Sequence, residues 1–195
     1  MNVGKSFLWP VVFLLCAHAS LLPKLSHAQE ATSGVIPLAT MEPGEPEQRL
    51  REFFEGDYDF RQETWDYPSA DEPKIVSCNS VHSMGVDGFV LFVRNECEDG
   101  TRFLGLHSFD RRVNKYFNPG FSNGGGYVGG MYAEFQSDGS RYVSNAPTTD
   151  PVTGEAIQSR YVCESTAEGY VFEFFLVRND GTEFLTLRHT YTRTK

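Results

Sequence analysis

The chain has 195 residues and carries 17 Lys and Arg against 26 Asp and Glu, for a net charge of −9. A surface this acidic repels phosphate backbones, which argues against nucleic-acid binding. Aromatic residues make up 14% of the chain, too many for a disordered chain or a coiled coil. The length fits one ordinary domain that can bury a core of its own.

The N-terminal residues have the layout of a secretory signal peptide. Lys5 gives a positive start, and residues 7–17 then form an apolar run. This run is shorter than the roughly 20 residues that a membrane-spanning helix needs. We predict cleavage after Ala28, with cleavage after Ala19 as the alternative. The mature protein is therefore expected to be exported, to the periplasm or the extracellular medium, with no membrane insertion.

Removal of this predicted signal peptide, residues 1–28, changes the charge and the cysteine count. It takes away two lysines and no acidic residue, so the net charge moves from −9 to −11 over the remaining 167 residues. Three cysteines remain, namely Cys78, Cys97 and Cys163. Because this number is odd, at least one thiol should lack a partner within the chain.

The segment 29–46 mixes Pro, Gly, Ser and Thr without periodicity and is predicted to be a flexible linker. It precedes a predicted domain at residues 47–195. Apolar residues at i, i+3 and i+4 within residues 46–55 predict one short helix, and Gly56 suits its end. The apolar positions of this stripe are Leu50, Phe53 and Phe54.

After Gly56 the apolar period changes to two, and the Asp-Gly dipeptide recurs four times as a turn signal. No stretch between the strands is long enough for a crossover helix. The predicted fold is all-β: an antiparallel, up-and-down, lipocalin-like barrel of about ten strands with one short N-terminal helix, closed because closure removes sheet edges. The predicted strands are 57–66, 73–83, 88–98, 101–110, 113–118, 127–136, 140–146, 157–164, 169–179 and 182–193.

Two short motifs resemble those of lipocalin-like (calycin) barrels. The segment Gly56-Asp57-Tyr58 resembles the Gly-x-Trp entry of that group, with Tyr in place of Trp, and Tyr191-Thr192-Arg193 resembles its closing Tyr-x-Arg. The first and last strands of a closed barrel are neighbours, so Arg193 is expected to stack on Tyr58. Such a cation–π contact contributes roughly 0.5–2 kcal/mol. Gly56, Tyr58 and Arg193 are thus predicted to close the barrel.

Further segments resemble an uncharacterised bacterial family catalogued as domain of unknown function 1579. The matching segments are 103–110, 115–116 and 180–184, which resemble a Gly-x-x-x-Tyr-Asp motif, a Lys-x-Tyr motif and an Asp-Gly hairpin of that family. Phe109 takes the place of the Tyr that the family usually has before the Asp of this motif. The resemblance covers about residues 47–195 and implies a fold, since the family carries no established catalytic residues.

Turn positions predict which side chains share a face. A turn at Asp99-Gly100 pairs Phe92 with His107, and a turn at Asp180-Gly181 pairs Glu173 with Arg188. Each hairpin then has an apolar face and a mixed face. In the first alternative, the apolar face fills the interior and the mixed face is exposed to solvent. In the second, the mixed face lines a cavity for a ligand with a polar head. The candidate ligand-binding residues of the mixed face are Arg94, His107, Glu173, Arg188, Phe92 and Phe175.

A turn at Asp87-Gly88 places Cys78 opposite Cys97. We expect a hydrogen-bonded pair there, with Cα atoms about 5.5 Å apart, a distance that a disulfide can bridge. Both the bond and its absence remain open, and in the bonded form Cys163 is the free thiol.

No motif of catalysis or of metal binding occurs. There is no Cys-x-x-Cys and no His-Glu-x-x-His, so no metal, cofactor or catalytic residue is predicted. Residues 118–126 are predicted to form a surface loop. The leading hypothesis is a protein that binds a small, mostly apolar ligand in a barrel cavity, with an anionic head near Arg94 or Arg188.

Two alternatives are kept beside this hypothesis. One is a structural or interaction domain whose barrel is filled and holds no ligand. The other is an enzyme of the cyclase or isomerase type that uses His107 or Glu173 as acid and base. Enzymatic activity is not indicated by any motif.

Overall fold

A computed structural model describes residues 42–68, 72–124 and 126–194 of the chain. The predicted signal peptide, and the predicted linker as far as residue 41, lie outside the described residues. One helix precedes ten strands and a short 3₁₀ turn. The elements are α1 (Glu45–Phe54), β1 (Gly56–Thr64), β2 (Lys74–Gly85), the 3₁₀ turn (Val86–Gly88), β3 (Val90–Cys97), β4 (Arg102–Asp110), β5 (Lys115–Ser122), β6 (Gly126–Phe135), β7 (Arg141–Thr149), β8 (Ala156–Ser165), β9 (Gly169–Val177) and β10 (Glu183–Arg193).

The ten strands form one closed antiparallel barrel in which each strand pairs with its neighbours in sequence, and β1 pairs with β10. This confirms the predicted all-β barrel with one short helix. Side chains alternate between the interior and the outer face, as in β2, where Val76, Cys78, Ser80 and His82 are buried between exposed neighbours.

Helix α1 covers one end of the barrel. Leu50 and Phe54 are fully buried, and the Phe54 ring contacts rings that project inward from β4, β7 and β9. Burying the apolar stripe of this short helix supplies the stability that its own backbone hydrogen bonds cannot. Glu47 is buried as well, where its carboxylate accepts hydrogen bonds from the Gly44 N–H at 2.9 Å and from Arg111 at 2.7 Å.

The seam between β1 and β10 brings together the three residues predicted to close the barrel. Tyr58 lies opposite Arg193, whose guanidinium carbon lies 5.1 Å from the Tyr58 ring centre. Arg193 also donates hydrogen bonds to the Glu55 carbonyl at 2.7 Å and to the Tyr58 hydroxyl at 2.9 Å. At Gly56, whose φ is +149°, a Cβ atom would lie 2.8 Å from Arg193 Nη1. The arginine therefore occupies space that only glycine leaves open.

Three of the four Asp-Gly turns differ from the predicted type. Only at Asp87-Gly88 do both residues have positive φ; at positions 99–100, 138–139 and 180–181 the glycine alone does. In all three turns the Asp carboxylate accepts a hydrogen bond from the N–H two residues on. The turns at 99–100 and 180–181 are three-residue loops, whereas four residues separate the paired Gln136 and Arg141 around 138–139. The loop at 99–100 shifts the β3–β4 pairing by one residue. His107 consequently lies opposite Leu91, and not opposite Phe92 as predicted.

In the last hairpin, the same one-residue shift is undone by a β-bulge. The pairing is displaced near the turn, where Phe184 lies opposite Leu176, and is shifted again between Leu185 and Leu187. Beyond the bulge, Glu173 lies opposite Arg188 as predicted. A bulge inserts one extra residue, which moves every later side chain back to the predicted face.

Cys78 and Cys97 form a disulfide, and Cys163 is free and buried. The two Cα atoms are 4.0 Å apart. The backbone of Glu98 donates to Ser77, the pair beside them, so the cysteines form a non-hydrogen-bonded pair. The expected hydrogen-bonded pair with its wider spacing was wrong.

The predicted surface loop at 118–126 is also wrong in its bounds. Strand β5 continues to Ser122, and β6 begins at Gly126. Pro119 lies within β5, and Gly120 and Phe121 flank a break in its pairing with β6. Pro and Gly are usually loop residues, and a strand tolerates them mainly at such irregularities. Their presence therefore predicted a loop where the structure has a strand.

Candidate binding site in the barrel interior

The helix end of the interior is tightly packed with tyrosine rings. Tyr58, Tyr142, Tyr170 and Tyr191 are each no more than 5% exposed, and Tyr170 stacks on Tyr191 with ring centres 4.3 Å apart. Edge-to-face and stacked contacts of this kind add to the area that the rings bury. This layer, together with α1, seals one end of the barrel.

The interior is less filled towards the opposite end. Phe103, Phe172 and Phe174 point inward and pack against the core, yet each remains only half-buried. The inward-facing Asn118 and Met131 are half-buried too. Protein cores normally bury such side chains completely, so this end of the barrel interior is less tightly filled than the helix end. It is called the far chamber below.

Three histidines lie in the barrel interior, and each has one buried ring nitrogen without a hydrogen-bond partner. These atoms are His82 Nε2, His107 Nδ1 and His189 Nε2. A buried polar atom without a partner costs about 1–3 kcal/mol. Three such atoms in one barrel point to a group that the chain itself does not supply.

The hydrogen bond of His82 Nδ1 determines whether its Nε2 is a donor or an acceptor. Its Nδ1 lies 3.0 Å from the Phe54 carbonyl oxygen. Because a carbonyl only accepts, Nδ1 carries the hydrogen and Nε2 of the neutral ring is an acceptor. His82 is 2% exposed and lies within the packed layer, between the rings of Tyr58 and Tyr191.

His107 hydrogen-bonds with Asn118, and this bond offsets part of the lowering of the imidazole pKa by burial. Its Nδ1 is the ring nitrogen without a partner. The Asn118 side chain is itself fixed, because its oxygen accepts from Tyr142 at 2.8 Å and its amide donates to Tyr161.

His189 contacts a tyrosine hydroxyl through its other ring nitrogen. Its Nδ1 lies 3.2 Å from the Tyr191 hydroxyl oxygen. That oxygen also accepts a hydrogen bond from Asn95 at 3.4 Å.

Burial keeps all three imidazoles uncharged. It lowers the pKa of His82 to about 3, with a smaller contribution from His107, and it lowers the pKa of His107 to about 4. It also lowers the pKa of His189 to about 3. At neutral pH the three rings are hydrogen-bonding groups, and none is a cation.

No inward position within the ten strands carries a formal charge among the residues that the structure describes. Those positions carry aromatic, aliphatic, thioether, hydroxyl, amide, imidazole and cysteine side chains. The buried Cys163 is neutral, because burial raises the pKa of its thiol. A charged pair lies just beyond the ends of β7 and β9: Asp150, which is 2% exposed, lies 3.6 Å from Arg178 and accepts a hydrogen bond from Tyr67.

The structure separates the six predicted ligand-binding residues. His107 points inward, whereas Arg94 is exposed on the outer face, where it lies over the Phe92 ring at 5.2 Å and donates to Ser83. The one-residue shift of the β3–β4 pairing accounts for this, because it moves His107 to the face opposite Arg94.

The three remaining predicted residues lie on the outer face of β9 and β10. Arg188 pairs with Glu173 at 2.7 Å and lies over the Trp65 ring. Phe175 lies under the guanidinium of Arg160 at 4.5 Å. The mixed face thus faces outward, as the first of the two alternatives predicted, and neither Arg94 nor Arg188, the predicted partners of an anionic head, lies in the interior.

The sequence analysis missed the polar interior residues other than His107. His82 has the same strand parity as Cys78, and Asn118 the same parity as Tyr116, so alternation alone could have placed them on one face. What alternation could not show is that this face points inward. His189 lies opposite the inward-facing Phe172.

Two surface clefts lie outside the interior. One, of about 1010 Å³, runs between α1 and the β8–β9 turn past Phe53 and Phe135. The other, of about 640 Å³, lies on the outer face beside Cys78–Cys97. Neither cleft is lined by any of the three histidines.

No family model matches the chain, and neither does any curated protein sequence. Within the described residues, no helix is long and apolar enough to cross a membrane. Across that same part of the chain, no group of three or more His, Cys, Asp or Glu is placed to hold a metal ion.

Proposed function

We propose that the mature protein is an exported barrel that binds a small, mostly apolar molecule in the far chamber. The observation that carries this proposal is the set of three buried ring nitrogens without partners in an interior where the rings of Phe103, Phe172 and Phe174 remain half-buried. Apolar walls with a few placed polar groups are typical of small-molecule sites. The disulfide between Cys78 and Cys97 supports export, since such bonds persist in oxidising compartments. Membership of the family of unknown function named above stays a prediction.

Native mass spectrometry of the protein purified from its own host tests this proposal. We expect a co-purifying small molecule that is released on unfolding. Phe172→Trp enlarges an inward, half-buried ring and should reduce the occupied fraction. Phe175→Trp, on the outer face of the same strand, is the matched control and should leave it unchanged. Absence of any bound molecule in the wild-type protein, together with equal spectra for both variants, would contradict the proposal.

A further inference from the structure

We infer that small molecules reach the barrel interior through its side wall, between β6 and β7, and not through the end opposite α1. This inference rests on the proposed function and adds the route by which its ligand enters. The observations behind it are an incomplete strand ladder in the side wall and a set of hydrogen bonds that closes the end opposite α1.

The pairing of β6 with β7 covers only the part of the two strands nearest their connecting turn. It joins residues 133–135 to residues 142–144. Farther from the turn, β6 stays paired with β5 and β7 stays paired with β8. Among the described residues, the segments 126–132 and 145–149 therefore have no ladder partner across this gap, which is called the side slit below.

The sequence of β7 explains why the ladder stops. The Asp150 N–H donates to the Glu155 carbonyl, so the even positions of β7 bond to β8 and its odd positions face β6. Pro147 is an odd position and has no N–H to donate. The Tyr132 carbonyl, the first β6 acceptor beyond the paired residues, accepts a hydrogen bond from the Ser144 side chain at 2.7 Å.

The burial of inward side chains on β7 changes where the two strands separate. Tyr142 and Ser144 lie in the paired part and are no more than 2% exposed. The next two inward positions, Ala146 and Thr148, are only half-buried. The barrel wall thus buries its interior less completely along the side slit than in the paired part of the same strand.

Met131 of β6 covers the side slit from within. Its side chain packs against the core, and its sulfur lies 3.9 Å from the Ser159 hydroxyl of β8, so it passes behind β7. A methionine has three rotatable bonds, and its sulfur is a weak acceptor. Met131 can therefore move aside without the loss of a strong hydrogen bond, and the neighbouring Gly129 and Gly130 have no side chains to displace.

The end opposite α1 is closed by side chains from three loops. The Tyr67 hydroxyl donates to the Asp150 carboxylate, and Arg178 donates to the same hydroxyl at 2.9 Å. Asp150 is 2% exposed, and the Arg178 guanidinium also lies over the Phe184 ring at 4.8 Å. A molecule that entered here would have to break charge-assisted hydrogen bonds and separate a buried carboxylate from its partners.

Cys163 can report entry before any ligand is known, because its thiol is free and buried and lies on β8 between the inward Tyr142 and Phe172. Methyl methanethiosulfonate is a small uncharged reagent. The Cys163 thiolate attacks it to form a mixed disulfide, and methanesulfinate leaves. We expect mass spectrometry to show this reaction in the folded wild-type protein, at a rate that does not change at low urea. A reaction that required global unfolding would accelerate steadily with urea.

Four substitutions separate the two routes. Ser144→Ala removes the hydrogen bond to Tyr132 where the strands separate and should raise the rate about fivefold. Pro147→Val supplies an N–H that faces β6 and should lower the rate. Tyr67→Phe, at the opposite end, should leave it unchanged. So should Thr186→Val, the matched control, which removes a hydroxyl-to-carbonyl bond within the paired strands β9 and β10.

A faster reaction in Tyr67→Phe than in Ser144→Ala overturns the inference, places entry at the end opposite α1 and leaves ligand binding standing. Equal rates in all variants at low urea overturn it as well. So does a wild-type rate that rises with urea throughout, since the interior then opens only on unfolding. The proposed function is overturned by a different result, the absence of any co-purifying molecule together with equal spectra for its two variants.

Discussion

Single residues hold this barrel closed at its seam. Arg193 makes three different contacts with β1 and the residue before it: a stack on the Tyr58 ring and hydrogen bonds to the Tyr58 hydroxyl and the Glu55 carbonyl. The Tyr58 hydroxyl in turn donates to the Phe54 carbonyl at 2.9 Å. One guanidinium thus connects the last strand, the first strand and the end of α1.

We predict that Arg193→Met lowers the free energy of unfolding by about 2 kcal/mol, because it removes charge-assisted hydrogen bonds and a cation–π contact together. Urea denaturation followed by tyrosine fluorescence measures this difference. Arg102→Met is the control, since Arg102 is exposed and lies 3.7 Å from Glu96; exposed pairs contribute little. Equal losses in the two variants would show that the seam contacts add nothing specific.

The disulfide ties two neighbouring strands, β2 and β3, that a short turn already connects. It closes a loop with a sequence separation of 19 residues. In the loop-entropy model, a loop of this length gives about 3 kcal/mol through the unfolded chain. Because the cysteines lie in register on paired strands, the bond adds little distortion to the sheet.

Replacing both cysteines by alanine (Cys78→Ala with Cys97→Ala) should therefore lower the unfolding free energy by about 3 kcal/mol. Urea unfolding with and without a reductant measures this. The reductant should reproduce the loss in the wild-type protein and have no effect on the double variant. A wild-type protein that is indifferent to the reductant would contradict the predicted contribution.

The elements themselves followed from sequence patterns far better than their pairing did. Two-residue apolar alternation predicted all ten strands, since it reflects the alternation of faces in any half-buried strand. The Asp-Gly turns were located correctly, but the same dipeptide serves both two-residue and three-residue loops. The difference of one residue at Asp99-Gly100 moved His107 to the other face, so the candidate site was assigned to the wrong side of the barrel.

The interior site could not be predicted for a second reason: the sequence does not show which face of the sheet points into the barrel. A sheet whose two faces both carry aromatic rings does not reveal which one points inward. Phe92 and Phe175 lie outside under arginines, while Phe172 and Phe174 lie inside. Only the closed barrel brings His82, His107 and His189 into one interior, because they come from three separate strands.

At the scale of the whole molecule, the protein combines an acidic outer surface with a barrel whose described inward strand positions are uncharged. The three interior imidazoles make the stability of the folded protein depend on pH. Their folded-state pKa values of about 3 and 4 lie below the ordinary value of 6.5. The folded protein thus takes up these protons only at a lower pH than the unfolded chain does.

We predict that the protein is destabilised by acid well before its carboxylates titrate. Well above pH 6.5 the rings are neutral in both states and stability is unaffected. As the pH falls through 6.5, the unfolded chain binds protons that the folded one does not. The free energy of unfolding should fall with a slope approaching about 4 kcal/mol per pH unit near pH 5 for three rings, and the slope should fade as the pH drops through the folded-state values of about 4 and 3.

Urea unfolding measured between pH 7 and pH 5 tests this slope in a range where most carboxylates stay ionised. His189→Phe, which keeps a ring beside Phe60 and Phe172, should remove about a third of it. Stability that is constant from pH 7 to pH 5 would show that the histidines are already charged in the folded barrel.

The seam between β1 and β10 also sets an order of events during folding. It pairs Tyr58 with Arg193, residues far apart in the chain, so the sheet cannot close until β10 has been synthesised. Until then β1 and the most recently formed strand each have an unpaired edge, and such edges recruit other chains. An emerging chain is therefore expected to need protection along these two edges, which the completed barrel no longer exposes.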